Sequence, residues 1–212
     1  MLFRSIGDAS AGTGTLKYDT SADKTLGSSL TLQSLSGAIT VYDTLNVGSG
    51  KNITISTSGT VSLSVVNTAN VLAVTGSTIT LNGNVTTSGT QTYNGAVTLG
   101  ANATLTASGI TTSSTVTAGN YDLTLVTDAV DLGGNVTGGT GTLTIKPKTA
   151  TTTIGLGDDA NASGATLQLS DTEIDRINVV TKFASIVIGD ASAGTGTLKY
   201  DTSADKTLGS SL

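Results

Sequence analysis

The chain has 212 residues; Gly (27), Ser (24), Thr (42) and Asn (12) make up half of it, charged residues are only 12%, and the formal net charge is −5. Without Cys there is no disulfide framework, thiolate nucleophile or Cys-ligated zinc, and without His the commonest general base and metal ligand is missing. Ten basic residues against fifteen acidic ones argue against a nucleic-acid partner, and no apolar run approaches the roughly 18 residues of a membrane helix.

Leu, Val, Ile and Phe still supply about a quarter of the residues, above the roughly 20% below which chains tend to stay disordered, so a buried core is expected. Met1 to Ser10 lack the apolar stretch of a signal peptide, which puts any export signal outside these residues.

From the amino terminus, residues 6–30 read IGDASAGTGTLKYDTSADKTLGSSL, and residues 188–212 repeat them letter for letter. The offset is 182 residues. Three segments follow: a non-repeat start (1–5), one full unit (6–187) and the beginning of a second identical unit (188–212). The expectation is a window on a longer tandem array, with a duplication of the 25-residue segment alone as the duller alternative.

Along the unit, apolar-x-apolar triplets recur at Leu30/Leu32, Ile39/Val41, Ile53/Ile55, Val61/Leu63/Val65, Ile79/Leu81 and Val97/Leu99. They continue at Leu123/Leu125, Leu143/Ile145, Leu167/Leu169 and Ile186/Ile188. Alternation with period two over short runs predicts strands with one buried face. Gly48-Ser49-Gly50, Asn82-Gly83-Asn84, Ser108-Gly109 and Gly133-Gly134 punctuate them as turns. Helical periodicity is almost absent. The exception is Ser170 to Ile177, where Ser170 and Glu173 fit a capping box and Ile174 and Ile177 share a helix face, predicting a short helical turn near 171–177 against the strands.

Seven aromatics are too few for an antiparallel sandwich core or for the aromatic girdles of an outer-membrane barrel. The all-β fold that fits is a parallel β-helix, or β-solenoid, of roughly 20 residues per coil, its narrow core filled by small aliphatics and its outside laddered by Thr, Ser and Asn. The charge pattern agrees, because Asn52 to Tyr121 hold no charged side chain. Equivalent residues in stacked coils lie about 4.8 Å apart, and like charges at that spacing repel. At this coil length the unit holds roughly nine coils and rises about 43 Å.

Several residues invite chemical readings. Asp158-Asp159 after Gly155-Leu-Gly157, and Asp128 with Asp131, resemble loop carboxylates for calcium. They do not recur turn after turn as a calcium repeat requires, so solvated turns are expected. Paired carboxylates for glycoside hydrolysis would need basic or aromatic partners that these Asp residues lack. Gly12-Thr13-Gly14 begins like a dinucleotide fingerprint, but position 17 is Lys and no βαβ pattern follows. Lys146-Pro147-Lys148 reads as an exposed edge or corner, and a two-lysine anion site is disfavoured. Thr-x-Thr pairs at Thr78/Thr80, Thr90/Thr92, Thr104/Thr106, Thr115/Thr117 and Thr140/Thr142/Thr144 have separations that share no coil period, which argues against an ice-matching face but leaves a laddered Thr surface. Sequons begin at Asn52, Asn84, Asn102, Asn135 and Asn161, close to the number expected by chance in a chain this rich in Ser and Thr. No catalytic, cofactor-binding or metal-ligating residue is assigned, and no enzyme activity or cofactor is expected.

Residues 84–107 (NVTTSGTQTYNGAVTLGANATLTA) and 140–192 (TGTLTIKPKTATTTIGLGDD, ATLQLSDTEIDRI and IVIGDASAG within it) resemble segments of filamentous-haemagglutinin-like bacterial surface proteins, over about half of the chain. The resemblance implies a right-handed parallel β-helix, export through an outer-membrane partner, and a role in adhesion or cell-surface structure. It transfers no catalytic residue, and the family's amino-terminal secretion domain is not present in this sequence. The expectation is a structural repeat of an extracellular or cell-surface filament or adhesin stalk, stacked coaxially on neighbouring repeats of itself, with lateral bundling a further option. The alternative is an adhesin module that binds a surface glycan or another cell directly, and a β-helix polysaccharide-degrading enzyme is the least favoured reading. No nucleic-acid partner and no membrane-embedded segment are expected.

Overall fold

The computed structural model describes residues 14–19, 24–158, 164–177, 181–192 and 194–202. The start at 1–5, Gly12, Thr13, Asp159 and Asn161 therefore lie outside the described residues. All strand pairs among the described residues are parallel, and they build a β-solenoid.

Each coil has three faces. On the first face stand Leu30–Gln33, Ile53–Ser56, the opening half of Leu72–Leu81, the opening half of Thr90–Leu99, Gly109–Thr112 and Val130–Leu132. The second face carries Leu16–Tyr18, Ile39–Val41, Thr60–Leu63, the closing halves of the two long strands, Val116–Thr117 and Val136–Thr137. The third face stacks eight strands from Lys24–Thr25 to Ser185–Ile188. About six regular coils of ~20 residues result.

The alternating pattern explains the winding. In a strand, successive side chains point to opposite faces, so every second residue enters the tube. Register then makes columns. Ile39, Val61, Ile79, Val97, Val116 and Val136 lie one above the other inside the second face. Leu32, Ile55, Val74, Tyr93, Thr112 and Leu132 do so inside the first. All of them are buried, and each large aliphatic side chain removed from water contributes about 1.5–3 kcal/mol. Tyr93 fits its column because its neighbours, Val74 below and Thr112 above, are small.

The corners shift the phase of the pattern. Val65, expected inside, is half-buried, and Val66 takes the interior place because the chain turns at Ser64 between two strands. Gly109 opens a strand rather than a turn. Within Thr90–Leu99 the bend falls at Gly95, whose φ of 150° and contact with the Gly76 carbonyl leave no room for a Cβ.

After Lys146 the regular winding stops. On the third face Leu143 is matched by Ile186, not by a residue about 20 positions on. The intervening chain forms the strands Ile154–Leu156 and Leu167–Leu169 and a helix, α1 (Asp171–Ile177). Leu167–Leu169 packs beside Val130–Leu132 and pairs with one edge of Ile154–Leu156, and Leu198–Tyr200 pairs with the other edge. The nine coils estimated from the sequence are thus six regular ones plus this irregular turn, whose three strands extend the stack.

Candidate functional site: outer ladders, polar corners and the edges of the stack

Outward-facing residues form hydroxyl columns. On the second face Thr40, Ser62, Thr80, Thr98, Thr117 and Thr137 are stacked in register. The hydroxyls of Thr80 and Thr98 lie 3.2 Å apart, in hydrogen-bond contact. On the third face Thr104, Thr124 and Thr144 make a shorter column. The Thr-x-Thr pairs shared no period in the sequence because they sit on different faces. On the second face alone, Thr78/Thr80 and Thr115/Thr117 belong to the same double column, which Ala96 interrupts.

Corners carry a second ladder. Asn84 Oδ1 accepts from the Thr104 N–H at 2.9 Å, Asn102 Oδ1 from the Asp122 N–H at 3.0 Å, and Asp122 Oδ1 from the Thr142 N–H at 2.7 Å. Each side chain ties its own coil to the next. Asn52 Oδ1 likewise accepts from the Val71 N–H at 3.3 Å, so three of the sequon asparagines have a structural task, and Asp122 continues it where the charge-free stretch has ended.

The acidic candidates do not converge. Asp128 accepts from the Thr149 N–H (2.8 Å), the Thr149 hydroxyl (2.7 Å) and the Thr152 hydroxyl (3.0 Å). Desolvation alone would raise its pKa, but the hydrogen bonds from Thr149, Thr152 and the Lys148 backbone outweigh it and hold the carboxyl below its ordinary value. Asp131 is exposed on its strand, and Asp158 accepts from the Asp171 N–H at 3.1 Å. Among the described residues no three acidic side chains come together as a metal site.

Lys146-Pro147-Lys148 does form a corner, but Pro147 is buried, not exposed. Lys146 pairs with Asp190 at 3.1 Å, and Lys148 donates to the carbonyls of Thr87 (3.3 Å) and Ser88 (3.0 Å). The two ammonium groups serve different partners.

A polar pair lies inside the tube where Gln91 breaks the apolar-x-apolar rule, so the alternation does not signal it. Tyr93 is fully buried and its hydroxyl donates to Gln91 Oε1 at 2.9 Å. Gln91 Nε2 donates to the carbonyls of Val85 (3.0 Å) and Thr106 (2.9 Å), stapling two coils of the third face from within. Burial pushes the Tyr93 phenol far above its ordinary pKa. It is unavailable to any external ligand, which leaves Tyr121 as the exposed aromatic of the uncharged stretch.

The edges of the stack are treated unequally. Over Leu132, α1 replaces the next strand. Glu173 Oε1 accepts the Leu132 N–H at 3.0 Å, and Arg176 donates to the Leu132 carbonyl. The predicted capping box is present, with the Glu173 N–H on Ser170 Oγ (3.2 Å) and the Ser170 N–H on Glu173 Oε2 (2.9 Å). By contrast, among the described residues Leu198–Tyr200 is an outer strand of its sheet. Its Leu198 and Tyr200 are 50% and 56% exposed and edge an open apolar groove of about 370 Å³ with Leu156, Ile186, Val187 and Ile188. The identical residues of the first copy, Leu16 and Tyr18, are half-buried against the core.

No known protein family, curated protein or solved structure matches this chain. Among the described residues no helix is long and apolar enough to cross a membrane.

Proposed function

We propose that the chain is a structural repeat of a long extracellular or cell-surface filament or adhesin stalk, in which units stack coaxially. One observation carries this reading. The sequence that opens the stack at one end, Leu16–Tyr18, is found again as the outermost strand at the other, Leu198–Tyr200. A strand that recurs at both edges of the stack offers one unit a place to build on the next.

The surface supports a spacer role over direct recognition. Its outer columns are hydroxyls, with Thr80 touching Thr98 and Thr117 touching Thr137 from coil to coil, and Asp128, Lys146 and Lys148 are engaged by partners within the chain. The resemblance of residues 84–107 and 140–192 to filamentous-haemagglutinin-like proteins points the same way.

Electron microscopy of chains carrying two and four consecutive 182-residue units tests the proposal. Rods that lengthen by about 40 Å for each added unit are the expected result. Compact particles of constant length would refute it.

A further inference from the structure

We propose that two copies of this unit join through a single shared strand: residues 198–200 of one copy take the place of residues 16–18 of the next, between Ile154–Leu156 below and Ile39–Val41 above. This rests on the filament reading and specifies its joint.

The argument begins with backbone hydrogen bonding. In a parallel sheet, alternate residues direct their N–H and C=O groups to opposite edges of the strand. In the first copy, the Leu16 N–H donates to the Ala38 carbonyl (2.8 Å), and the Tyr18 carbonyl accepts from the Tyr42 N–H (2.9 Å). In the second copy, the Thr197 carbonyl accepts from the Ile154 N–H (2.9 Å), and the Asp201 N–H donates to the Leu156 carbonyl (2.8 Å). Positions 16 and 18 correspond to 198 and 200 in the repeat. One copy therefore uses the groups of one edge and the other copy those of the opposite edge. The same strand can make both sets of bonds at once.

Registers and side chains agree. Leu16, Lys17 and Tyr18 face Ile39, Thr40 and Val41, while Leu198, Lys199 and Tyr200 face Ile154, Gly155 and Leu156. In both copies Lys points outward and its two apolar neighbours toward the core side. A second copy's Ile39–Val41 would cover Leu198 and Tyr200 as its own Leu16 and Tyr18 are covered. The occupant of the exposed edge is thus specified by sequence identity, and exchange uses only strand pairings already present in one copy. Head-to-tail use of two different edges adds each copy further along the stack axis, so the assembly grows as an open filament rather than a ring.

The joint also sets a rotation. Leu16–Tyr18 lies on the second face, whereas Leu198–Tyr200 stands above the first, through Leu167–Leu169 and Ile154–Leu156. Successive copies turn by one of the three faces, about a third of a turn.

The chain has no Cys, which makes thiol cross-linking a clean test. Full-length K199C and full-length T40C chains are mixed at about millimolar concentration, where a foreign strand competes with the chain's own, unfolded, refolded together and oxidised. Neighbouring residues on paired strands lie within the Cα separation a disulfide tolerates, so the expected product is a disulfide-linked heterodimer at about fivefold or more the yield of K199C mixed with T54C, an exposed position within the stack. The double variant K17C/T40C provides the register control, forming its bond within one chain. A heterodimer yield no higher than with T54C overturns the shared strand, as does failure of K17C/T40C to close internally. Rods that lengthen with unit number but give no K199C–T40C product would leave the filament standing and remove only this joint.

Discussion

The N–H of Leu132 is held by the carboxylate of Glu173, and the Leu132 carbonyl by Arg176. In the coils below, these two positions would be filled by a carbonyl and an N–H of the next strand. An acidic and a basic side chain, one helical turn apart, stand in for a strand at the edge where the regular winding ends.

Removing the acceptor tests this. Glu173→Ala strips the partner from the Leu132 N–H and from the Ser170 cap, and a buried donor left unpaired costs about 1–3 kcal/mol. The urea midpoint should fall with no change in the slope of the transition, and the Leu132 amide should exchange faster. Glu173→Gln keeps one acceptor oxygen and should lose about half as much. An unchanged midpoint in Glu173→Ala would show that the carboxylate does not cap the edge.

The Gln91–Tyr93 pair predicts an alkaline limit. Burial raises the pKa of Tyr93, so the folded state keeps the phenol neutral while the unfolded chain ionises near pH 10. The contribution is fully present below that pH and is lost above it, by about 1.4 kcal/mol for each pH unit. Tyr93→Phe should flatten this part of the stability profile. At neutral pH it should cost about 1–3 kcal/mol, because Gln91 Oε1 loses its donor inside the tube. Equilibrium unfolding at pH 7 and at pH 10–11 separates the two effects.

Asp128 predicts the opposite limb. Its carboxyl lies below its ordinary value, so its contribution is complete above about pH 4 and is lost as the pH falls through the folded value. The loop it holds, through Thr149 and Thr152, should loosen first on acidification. Amide exchange at Thr149 is the direct measurement. Asp128→Asn should make that exchange fast at every pH, with a global cost of about 1 kcal/mol for a half-buried group that keeps one acceptor oxygen.

How far the sequence could be read follows from what repeats in it. Leu30/Leu32, Ile53/Ile55 and Ile79/Leu81 announce their strands because a period of two survives wherever one face is buried and the strand is straight. It fails at corners, where Val66 replaces Val65, and where the interior is polar, as at Gln91. Ser170 and Glu173 made the helix legible, since a capping box is local. The second task of Glu173, on Leu132, was not legible, because that contact spans 41 residues. Nor was the crossing of Ile154–Leu156 and Leu167–Leu169, whose stacking order departs from chain order. The 25-residue identity at an offset of 182 makes Leu16–Tyr18 and Leu198–Tyr200 equivalent, but only the fold reveals that the two copies use opposite edges of the same strand.

The charge-free stretch from Asn52 to Tyr121 makes a final prediction about the ladders. Thr80 and Thr98 are adjacent coil positions whose hydroxyls touch at 3.2 Å. A single Thr80→Asp or Thr98→Asp places one charge at a half-buried, outward-facing position and should cost about 1 kcal/mol or less. Together they put like charges about 5 Å apart, where repulsion in water is on the order of 1 kcal/mol and larger near the protein. The double variant should therefore be less stable than the sum of the single ones by about that amount, and the deficit should shrink in high salt. Thr80→Asp with Thr98→Lys should remove the deficit, as opposite charges in adjacent coils attract. A purely additive double variant would mean that stacked charge is tolerated, and that the absence of charge over these seventy residues has another cause.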